Sequence, residues 1–311
     1  MLSLKKSAII YLQGGAILDK HYTFSIQQVS ELTGLSKQVI RKWEDRYAII
    51  QPKRLENGYR AYSQSEIDLL NKTVAFVDQG YAIKQAAALA NEAIHQESLN
   101  IQSLPKSEFD HYIKQLEDFG AIGDDVQLIR TLQQVHLTYG IESCLQNVVI
   151  PFLKRIGDLW CDQTWGEFQE AISSSTVRDF LAGLRRTITV PSNAPVIVGS
   201  CLPFERHENP MHILLLRCML KGYRTIMLGA APAPTAIQST VLMTNPNYVL
   251  LTGSTDVILN NGSEAILALD KFASEHPTTK FFVGGAAIEQ AWPQLALQHM
   301  HLAQSIDDIF A

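Results

Sequence analysis

The chain has 311 residues with a formal net charge of −5, and 46% of its residues are apolar. That length allows two or three domains, each with a core of its own. No apolar run approaches the ~20 residues that cross a bilayer, and the four cysteines have no CxxC or Cys/His zinc spacing. The composition therefore predicts a cytoplasmic protein with reduced thiols, no zinc finger and no membrane partner.

After an N-terminal tail over residues 1–21, the pattern predicts two short helices separated by a tight turn. Ser25 and Gln28 have the spacing of a capping box, and Gly34 can adopt the positive φ that such a turn commonly needs. Ser36 can cap the second helix, on which apolar residues lie on one side and polar residues on the other. The pattern is typical of a helix-turn-helix.

The polar side of the second helix and the loop after it carry the residues expected at DNA. Arginine and glutamine can bind guanine and adenine edges through paired hydrogen bonds. A capping box at Ser63 and Glu66 starts the next helix, which leaves a basic, aromatic loop suited to phosphate contacts. The apolar residues of the second helix are Val39, Ile40, Trp43 and Tyr47, and its polar candidates are Lys37, Gln38, Arg41, Lys42 and Arg46. The loop candidates are Arg54, Tyr59, Arg60 and Tyr62.

The local charge favours nucleic acid over the alternative of a solvated helix pair with scattered charge. Residues 36–60 contain seven Lys or Arg and three Asp or Glu, a net charge of +4 in a chain whose total is −5. A positive patch on an acidic protein is what a phosphate-binding surface needs, because release of counterions drives association.

The run IRKWEDRY, then a proline, then R-x-x-NGYR-x-Y ending at Tyr62 resembles the MerR family of transcription regulators. The Trp-Glu-x-Arg-Tyr form is similar to the branch with the CarA, CarH, LitR and MlrA types. The resemblance covers about residues 22–90 and implies dimers that bind and distort pseudo-palindromic operator DNA. It implies that Arg41, Trp43 and Arg46 act near the major groove, and that Arg54, Tyr59, Arg60 and Tyr62 act in the wing.

Helices predicted at 64–77 and 81–94 complete a DNA-binding domain over residues 22–95. A polar linker is predicted at 96–107, without the heptads of a coiled coil. Four helical segments, 108–120, 124–138, 141–160 and 166–186, predict a four-helix bundle over 108–188. Pro151 is expected to kink the third of them.

From residue 189 to 311 the pattern changes to short β-rich runs alternating with helices. The runs VIVGSC, TIMLGA, YVLLTGS and KFFVGGA predict a doubly wound parallel sheet of the flavodoxin-like kind. Ligands bind beyond the carboxyl ends of such strands. The loops expected there are 201–207, 230–235, 252–256 and 284–288. The fold class is thus multidomain, with an all-α winged helix-turn-helix, a four-helix bundle and an α/β domain.

The bundle and sheet together resemble the cobalamin-binding module of cobalamin-dependent methionine synthase and of photoreceptor regulators. Three motifs carry the resemblance: IGDLW ending at Trp160, Glu-x-His at Glu205 and His207, and the strand-end pair Gly284–Gly285. The resemblance implies adenosylcobalamin or methylcobalamin, with His207 as the lower ligand of cobalt. The cofactor-binding residues it implies are Trp160, Glu170, Glu205, His207, Thr252, Ser254, Gly284 and Gly285.

Two residues depart from the pattern of that module. Ala171 stands where the photoreceptor branch has a histidine that binds cobalt in the light-exposed state, which puts a light response in doubt. Pro210 replaces the glycine of the histidine motif, although a proline can occupy the first turn of a following helix.

The sequence therefore predicts a non-enzymatic, sequence-specific regulator that binds double-stranded operator DNA as a homodimer or higher oligomer and is controlled by a cobalamin-type sensor. The two departures favour an alternative, in which the module binds no cobalamin and senses a regulatory protein partner or another small molecule. A cobalamin-dependent methyl-transfer component is a third interpretation, which the DNA-binding domain disfavours.

Overall fold

The computed structural model describes residues 22–54, 58–103 and 106–310. The predictions for the tail at 1–21 and for Asn57 in the wing lie outside these residues. Among the described residues, 22–103 belong to one unit and nearly all of 106–310 belong to a second. No helix in the described ranges is both long and apolar enough to cross a membrane.

The N-terminal unit is a winged helix-turn-helix. Its elements are β1 (Tyr22–Phe24), α1 (Ile26–Thr33), α2 (Lys37–Tyr47), β2 (Lys53–Arg54), β3 (Arg60–Ser63), α3 (Gln64–Asp78) and α4 (Ile83–Ser103). The strands form an antiparallel sheet in the order β1-β3-β2. The all-α prediction omitted this sheet, because strands of two to four residues are too short to show an alternating pattern.

The predicted helix signals of this unit are confirmed. Both capping boxes are present, at Ser25 with Gln28 and at Ser63 with Glu66. Ser36 accepts a hydrogen bond from the backbone of Val39 at 3.3 Å, and Gly34 ends α1 at φ +70°. These caps fix the turn between α1 and α2, and with it the direction of α2.

Helix α4 runs through most of the stretch predicted as a linker over 96–107. It continues to Ser103 because residues 83–103 contain neither glycine nor proline to end a helix. The chain between the two units is therefore largely helical.

The bundle consists of α5 (Lys106–Ile122), α6 (Asp125–Tyr139), α7 (Ile141–Cys144), a π-helical turn (Leu145–Val149), α8 (Ile150–Cys161) and α9 (Glu167–Thr187). The irregularity expected at Pro151 takes the form of this π turn. A proline ring crowds the carbonyl four residues before it, here that of Asn147. The wider π turn spans Asn147 and closes with a hydrogen bond from Ile150 N to Leu145 O.

The α/β part has five parallel strands in the order β5-β4-β6-β7-β8. The predicted doubly wound sheet is confirmed, and β8 is an addition that three residues could not signal. Apolar side chains cover both faces of the sheet. Its elements are β4 (Val196–Cys201), α10 (Asn209–Leu220), β5 (Arg224–Met227), α11 (Pro234–Thr244), β6 (Tyr248–Thr252), α12 (Val257–Ser274), β7 (Lys280–Gly284), α13 (Ala286–Leu295), β8 (Met300–Leu302) and α14 (Ile306–Phe310).

Candidate functional site

Helix α2 presents one exposed cationic face, here called the reading face. The core holds the other side of the helix, where Ile40 is fully buried and Val39 and Tyr47 are partly buried. Arg46 lies over the ring of Tyr47, 5.6 Å from its centroid. The reading face consists of the exposed residues Lys37, Gln38, Arg41, Lys42 and Arg46.

Two residues expected at DNA are instead core residues. Trp43 is 5% exposed and Tyr62 is fully buried, so both side chains pack in the core of the N-terminal unit. Trp43 belongs to the apolar stripe of α2, and Tyr62 pairs across the sheet with Phe24. Burial raises the pKa of Tyr62 to about 12. The motif includes both residues, but a motif alone does not separate those that pack from those that bind.

The wing includes strands β2 and β3. Arg54 is exposed, and the ring of Tyr59 is 73% exposed. Arg60 differs from both, because its guanidinium is bound by Glu44 of α2. The structure thus leaves Arg54 and Tyr59 at the surface of the wing and places Arg60 against the helix.

In the C-terminal unit, the loop after β4 brings Glu205 and His207 together. The carboxylate of Glu205 is fully buried. Its Oε1 accepts from the backbone N–H of His207 at 2.8 Å and lies 2.6 Å from the ring Nδ1 of His207. Its Oε2 accepts from the backbone of Ser254 at 2.6 Å, and from the backbone and hydroxyl of Thr255 at 2.9 and 3.2 Å. Glu205 therefore joins the loop after β4 to the loop after β6.

This network orients the imidazole of His207 and shifts the pKa values of both groups. Burial works to raise the pKa of Glu205, but hydrogen bonds from His207 and Ser254 outweigh it and hold that pKa below its usual value. The pKa of His207 is raised, first by its hydrogen bond to Glu205 and to a lesser extent by the charge of Glu170. When a neutral imidazole donates its Nδ1–H to Glu205, Nε2 carries the lone pair. The side chain of His207 is 57% exposed, so an oriented imidazole reaches the surface of the loop.

Sequence reasoning missed two residues of this network, Thr255 and Cys201. Thr255, rather than Ser254, supplies the hydroxyl to Glu205, and Ser254 contributes its backbone N–H. Thr252 is buried and its hydroxyl donates to Sγ of Cys201 at 3.8 Å. Burial raises the pKa of the Cys201 thiol to about 12, which keeps it protonated, and it donates to the carbonyl of His207 at 3.6 Å. A hydroxyl next to the predicted Ser254 was the available signal for Thr255.

The glycine pair at the end of β7 is explained by internal packing. A Cβ on Gly284 would lie 2.3 Å from the carbonyl oxygen of Ala303, and one on Gly285 would lie 2.5 Å from that of Gly253. Gly285 also has φ +107°, which other residues rarely adopt. Both positions require glycine whether or not a ligand lies beside them.

The bundle supplies the remaining predicted residues. Trp160 lies near the end of α8 and is 39% exposed. Glu170 on α9 is half-buried and accepts a hydrogen bond from Ser174 at 2.8 Å, and Ala171 beside it is exposed. Glu170 and His207 are close enough to interact electrostatically, so the structure brings this bundle residue toward the sheet site.

Pro210 does not disrupt the histidine loop. It lies in the first turn of α10, where a missing N–H breaks no helical hydrogen bond. The bond between Glu205 and His207 is formed immediately before it.

Helix α10 connects this loop to the bundle at both of its ends. Asn209 donates to the carbonyl of Ser174 on α9 at 3.1 Å. Arg217 near the other end lies 2.8 Å from Glu142 on α7 and is itself only 12% exposed. The helix that begins two residues after His207 is thus attached to two different bundle helices.

The buried His212 on α10 is expected to make the protein acid-sensitive. Burial first, and then the positive charges of Arg185 and Arg178, lower its pKa to about 4. Between pH ~6.5 and ~4 the unfolded chain takes up a proton that the folded chain does not, so the free energy of unfolding falls as the pH falls through this window. The expected loss is on the order of 3 kcal/mol. The other charged groups around His212 are Arg186, Asp179 and Glu208.

Urea unfolding at pH 7.5 and pH 5 checks this expectation. His212→Gln should remove the part of the pH dependence of the free energy of unfolding that His212 contributes. His111→Gln, at an exposed position on α5, should show the same pH dependence as the wild type. Equal pH dependence in the wild type and His212→Gln would contradict the assignment.

The capped turn, the cationic reading face and the antiparallel wing define a winged helix-turn-helix DNA-binding protein. Residues 24–93 match the family described as MerR HTH family regulatory protein. The HTH-type transcriptional regulator CueR of Vibrio cholerae is 31% identical over 126 residues, which cover 35% of this chain and 91% of that regulator. The chain belongs to the MerR family, and it is a DNA-binding transcription regulator.

The similarity to one relative extends over both units. The HTH-type transcriptional repressor CarH of Myxococcus xanthus is 24% identical over 292 residues, which cover 92% of this chain and 96% of the repressor. Among solved structures, the monomethylamine corrinoid protein of Methanosarcina barkeri has a TM-score of 0.47 and 13% identity, covering 64% of this chain and 95% of that chain.

Proposed function

We propose that this regulator reads operator DNA with α2 and the wing, and that its C-terminal unit senses a cobalamin bound through His207. The observation that carries the sensing half is the imidazole held by a buried carboxylate at the end of β4. The whole-length similarity to a transcriptional repressor supports one regulator with two coupled parts. We further propose a cytoplasmic, non-enzymatic homodimer, with domains over 22–95, 108–188 and 189–311.

The DNA-reading half of the proposal rests on the reading face of α2 and on the exposed residues Arg54 and Tyr59 of the wing. Arg41→Ala is expected to cost about 1–3 kcal/mol of operator affinity and to relax specificity at one base pair, because a bidentate arginine distinguishes guanine from other bases. Fluorescence anisotropy with operator duplexes varied one base pair at a time measures both effects.

Arg130→Ala on bundle helix α6, which removes an exposed positive charge elsewhere, is the matched control. Unchanged affinity and specificity in Arg41→Ala would remove Arg41 from the reading face.

The residues of the sheet site fit a cobalamin. A bound cobalamin would supply a cobalt ion, which accepts a neutral imidazole nitrogen as a ligand. Glu205 holds Nδ1 of His207 and leaves Nε2 as the ligating nitrogen. Trp160 and Glu170 of the bundle would also contact the bound cobalamin. Strand-end residues are proposed to border the same pocket: Thr252, Ser254, Gly284 and Gly285.

We propose that helix α10 couples the histidine loop to the bundle, and through the bundle to DNA binding. A shift of the histidine loop moves the start of α10, whose side chains are bonded to bundle helices through Asn209 and Arg217. Ligand binding would then favour one arrangement of bundle and sheet over another. Since a dimer reads two half-sites, a change in how protomers pair changes operator occupancy.

Absorption spectra test the cobalamin half. Purified protein incubated in the dark with adenosylcobalamin or methylcobalamin is expected to give the spectrum of histidine-ligated cobalt. His207→Ala should lose that spectrum, while Arg206→Ala, at the exposed neighbouring position, keeps it. A wild-type protein whose addition leaves the cobalamin spectrum unchanged would contradict the proposal.

A cofactor-free sensor is the second candidate, and two observations favour it. Ala171 offers no ligand on the bundle side, and internal packing explains the glycine pair without a ligand. In that case the same site would take a regulatory protein or another small molecule, and operator affinity would not respond to cobalamin.

A further inference from the structure

An ion pair ties the wing to helix α2. Arg60 lies on β3 and Glu44 lies on α2. Nε of Arg60 donates to both carboxylate oxygens of Glu44, at 2.8 and 2.7 Å, and its Nη2 lies 3.7 Å from Asp45. The side chains of Arg60 and Glu44 are 22% and 15% exposed, so the pair is more sheltered from water than an ordinary surface ion pair.

The position of this pair lets it hold a strand of the wing against α2. Arg60 pairs directly with Arg54 across β2 and β3. Holding Arg60 against α2 therefore also holds the strand that carries the exposed Arg54. A phosphate contact by Arg60 would have to compete with the carboxylate of Glu44. The pair adds one charge of each sign, so the net positive charge of the surface does not depend on it.

We propose that Glu44 and Arg60 are positioning residues that set the orientation of the wing relative to α2. Arg60 then contributes to DNA affinity through this geometry and not through a phosphate contact. The inference rests on the proposed DNA-reading surface. Glu44 distinguishes the two roles: removing its negative charge strengthens or preserves binding if Arg60 is a phosphate ligand, and weakens binding if the pair positions the wing.

The experiment uses the full-length protein and an operator duplex that the wild type selects from a random-sequence pool. Operator affinity is measured at several salt concentrations. Glu44→Gln, Arg60→Gln and Arg60→Lys are each expected to weaken binding about 5-fold, and the double glutamine variant to be no weaker than either single variant. The slope of log affinity against log salt should stay at the wild-type value in all of them. Arg54→Gln, the matched wing variant, should lower that slope by about 0.9.

Two results would overturn the inference. One is Glu44→Gln binding as tightly as the wild type or more tightly. The other is a combined result for two variants. In Arg60→Gln the slope of log operator affinity against log salt falls by about 0.9, while Arg60→Lys keeps the operator affinity and the slope of the wild type. Thermal unfolding of each variant is followed in parallel, and Arg60→Lys, which keeps the charge and the aliphatic stem, decides the outcome if the glutamine variants unfold. If the wild type selects no duplex from the pool, the proposed DNA-reading surface is wrong as well. This result distinguishes failure of the proposed function from failure of the ion-pair inference alone.

Discussion

Replacing Glu205 with alanine is expected to lower the free energy of unfolding of the C-terminal unit by about 3–5 kcal/mol. The carboxylate is fully buried and accepts from the backbones of three residues, His207, Ser254 and Thr255. Without it, these partly buried donors lose the acceptor that the fully buried carboxylate supplies. The imidazole of His207 also loses the bond that orients it. Urea unfolding followed by circular dichroism measures the loss.

Two further substitutions define what the carboxylate does. Glu205→Gln keeps one carbonyl acceptor and is expected to be less damaging than Glu205→Ala. Glu264→Ala, which removes an exposed carboxylate on α12, should change stability by less than about 0.5 kcal/mol. If Glu205→Ala unfolds within about 1 kcal/mol of the wild type, the loops after β4 and β6 do not depend on Glu205.

Trp43→Ala should destabilise the N-terminal unit by about 3–5 kcal/mol, because it opens a cavity in a well-packed core. Trp43 is 5% exposed and packs in one cluster with Ile40, Tyr62 and Leu70. Any loss of DNA binding then follows from loss of the fold. Thermal unfolding and operator binding, measured on the same samples, separate the two effects.

The conservative variant Trp43→Phe distinguishes loss of the fold from loss of DNA binding more clearly. Trp43→Phe keeps most of the packing and should retain both the fold and operator binding. Lys42→Ala, next to Trp43 on the exposed side of α2, should weaken operator binding with little effect on stability. A Trp43→Phe variant that keeps its melting temperature but loses operator affinity would show that Trp43 takes part in DNA binding itself.

The sequence predicted elements wherever a local signal was strong. Ser25, Ser36 and Ser63 marked helix starts that the structure confirms. The short strands β1 and β8 left no periodic signal, because a strand of three residues cannot alternate visibly. Helix α4 extends beyond its predicted end, because the polar stretch 96–103 contains neither glycine nor proline to end it.

The candidate site was predictable in its residue types but not in its contacts. The motif resemblance named Glu205 and His207 as site residues of one loop, and the structure shows that a hydrogen bond joins them. Thr255 comes from a different strand end, 50 residues further along the chain, so only the fold brings it to Glu205. In the N-terminal unit, the ion pair of Glu44 with Arg60 likewise depends on how the wing folds back onto α2.

We propose that a cobalamin bound at His207 changes DNA binding by the same chain. Operator affinity of the full-length protein, measured with and without adenosylcobalamin in the dark for the wild type and His207→Ala, tests it most directly. Coupling between sites is typically 1–3 kcal/mol, so the wild-type affinity should change by at least about 5-fold and that of His207→Ala should stay constant. An operator affinity that is the same with and without the cofactor in the wild type, or a change that persists in His207→Ala, would contradict the account.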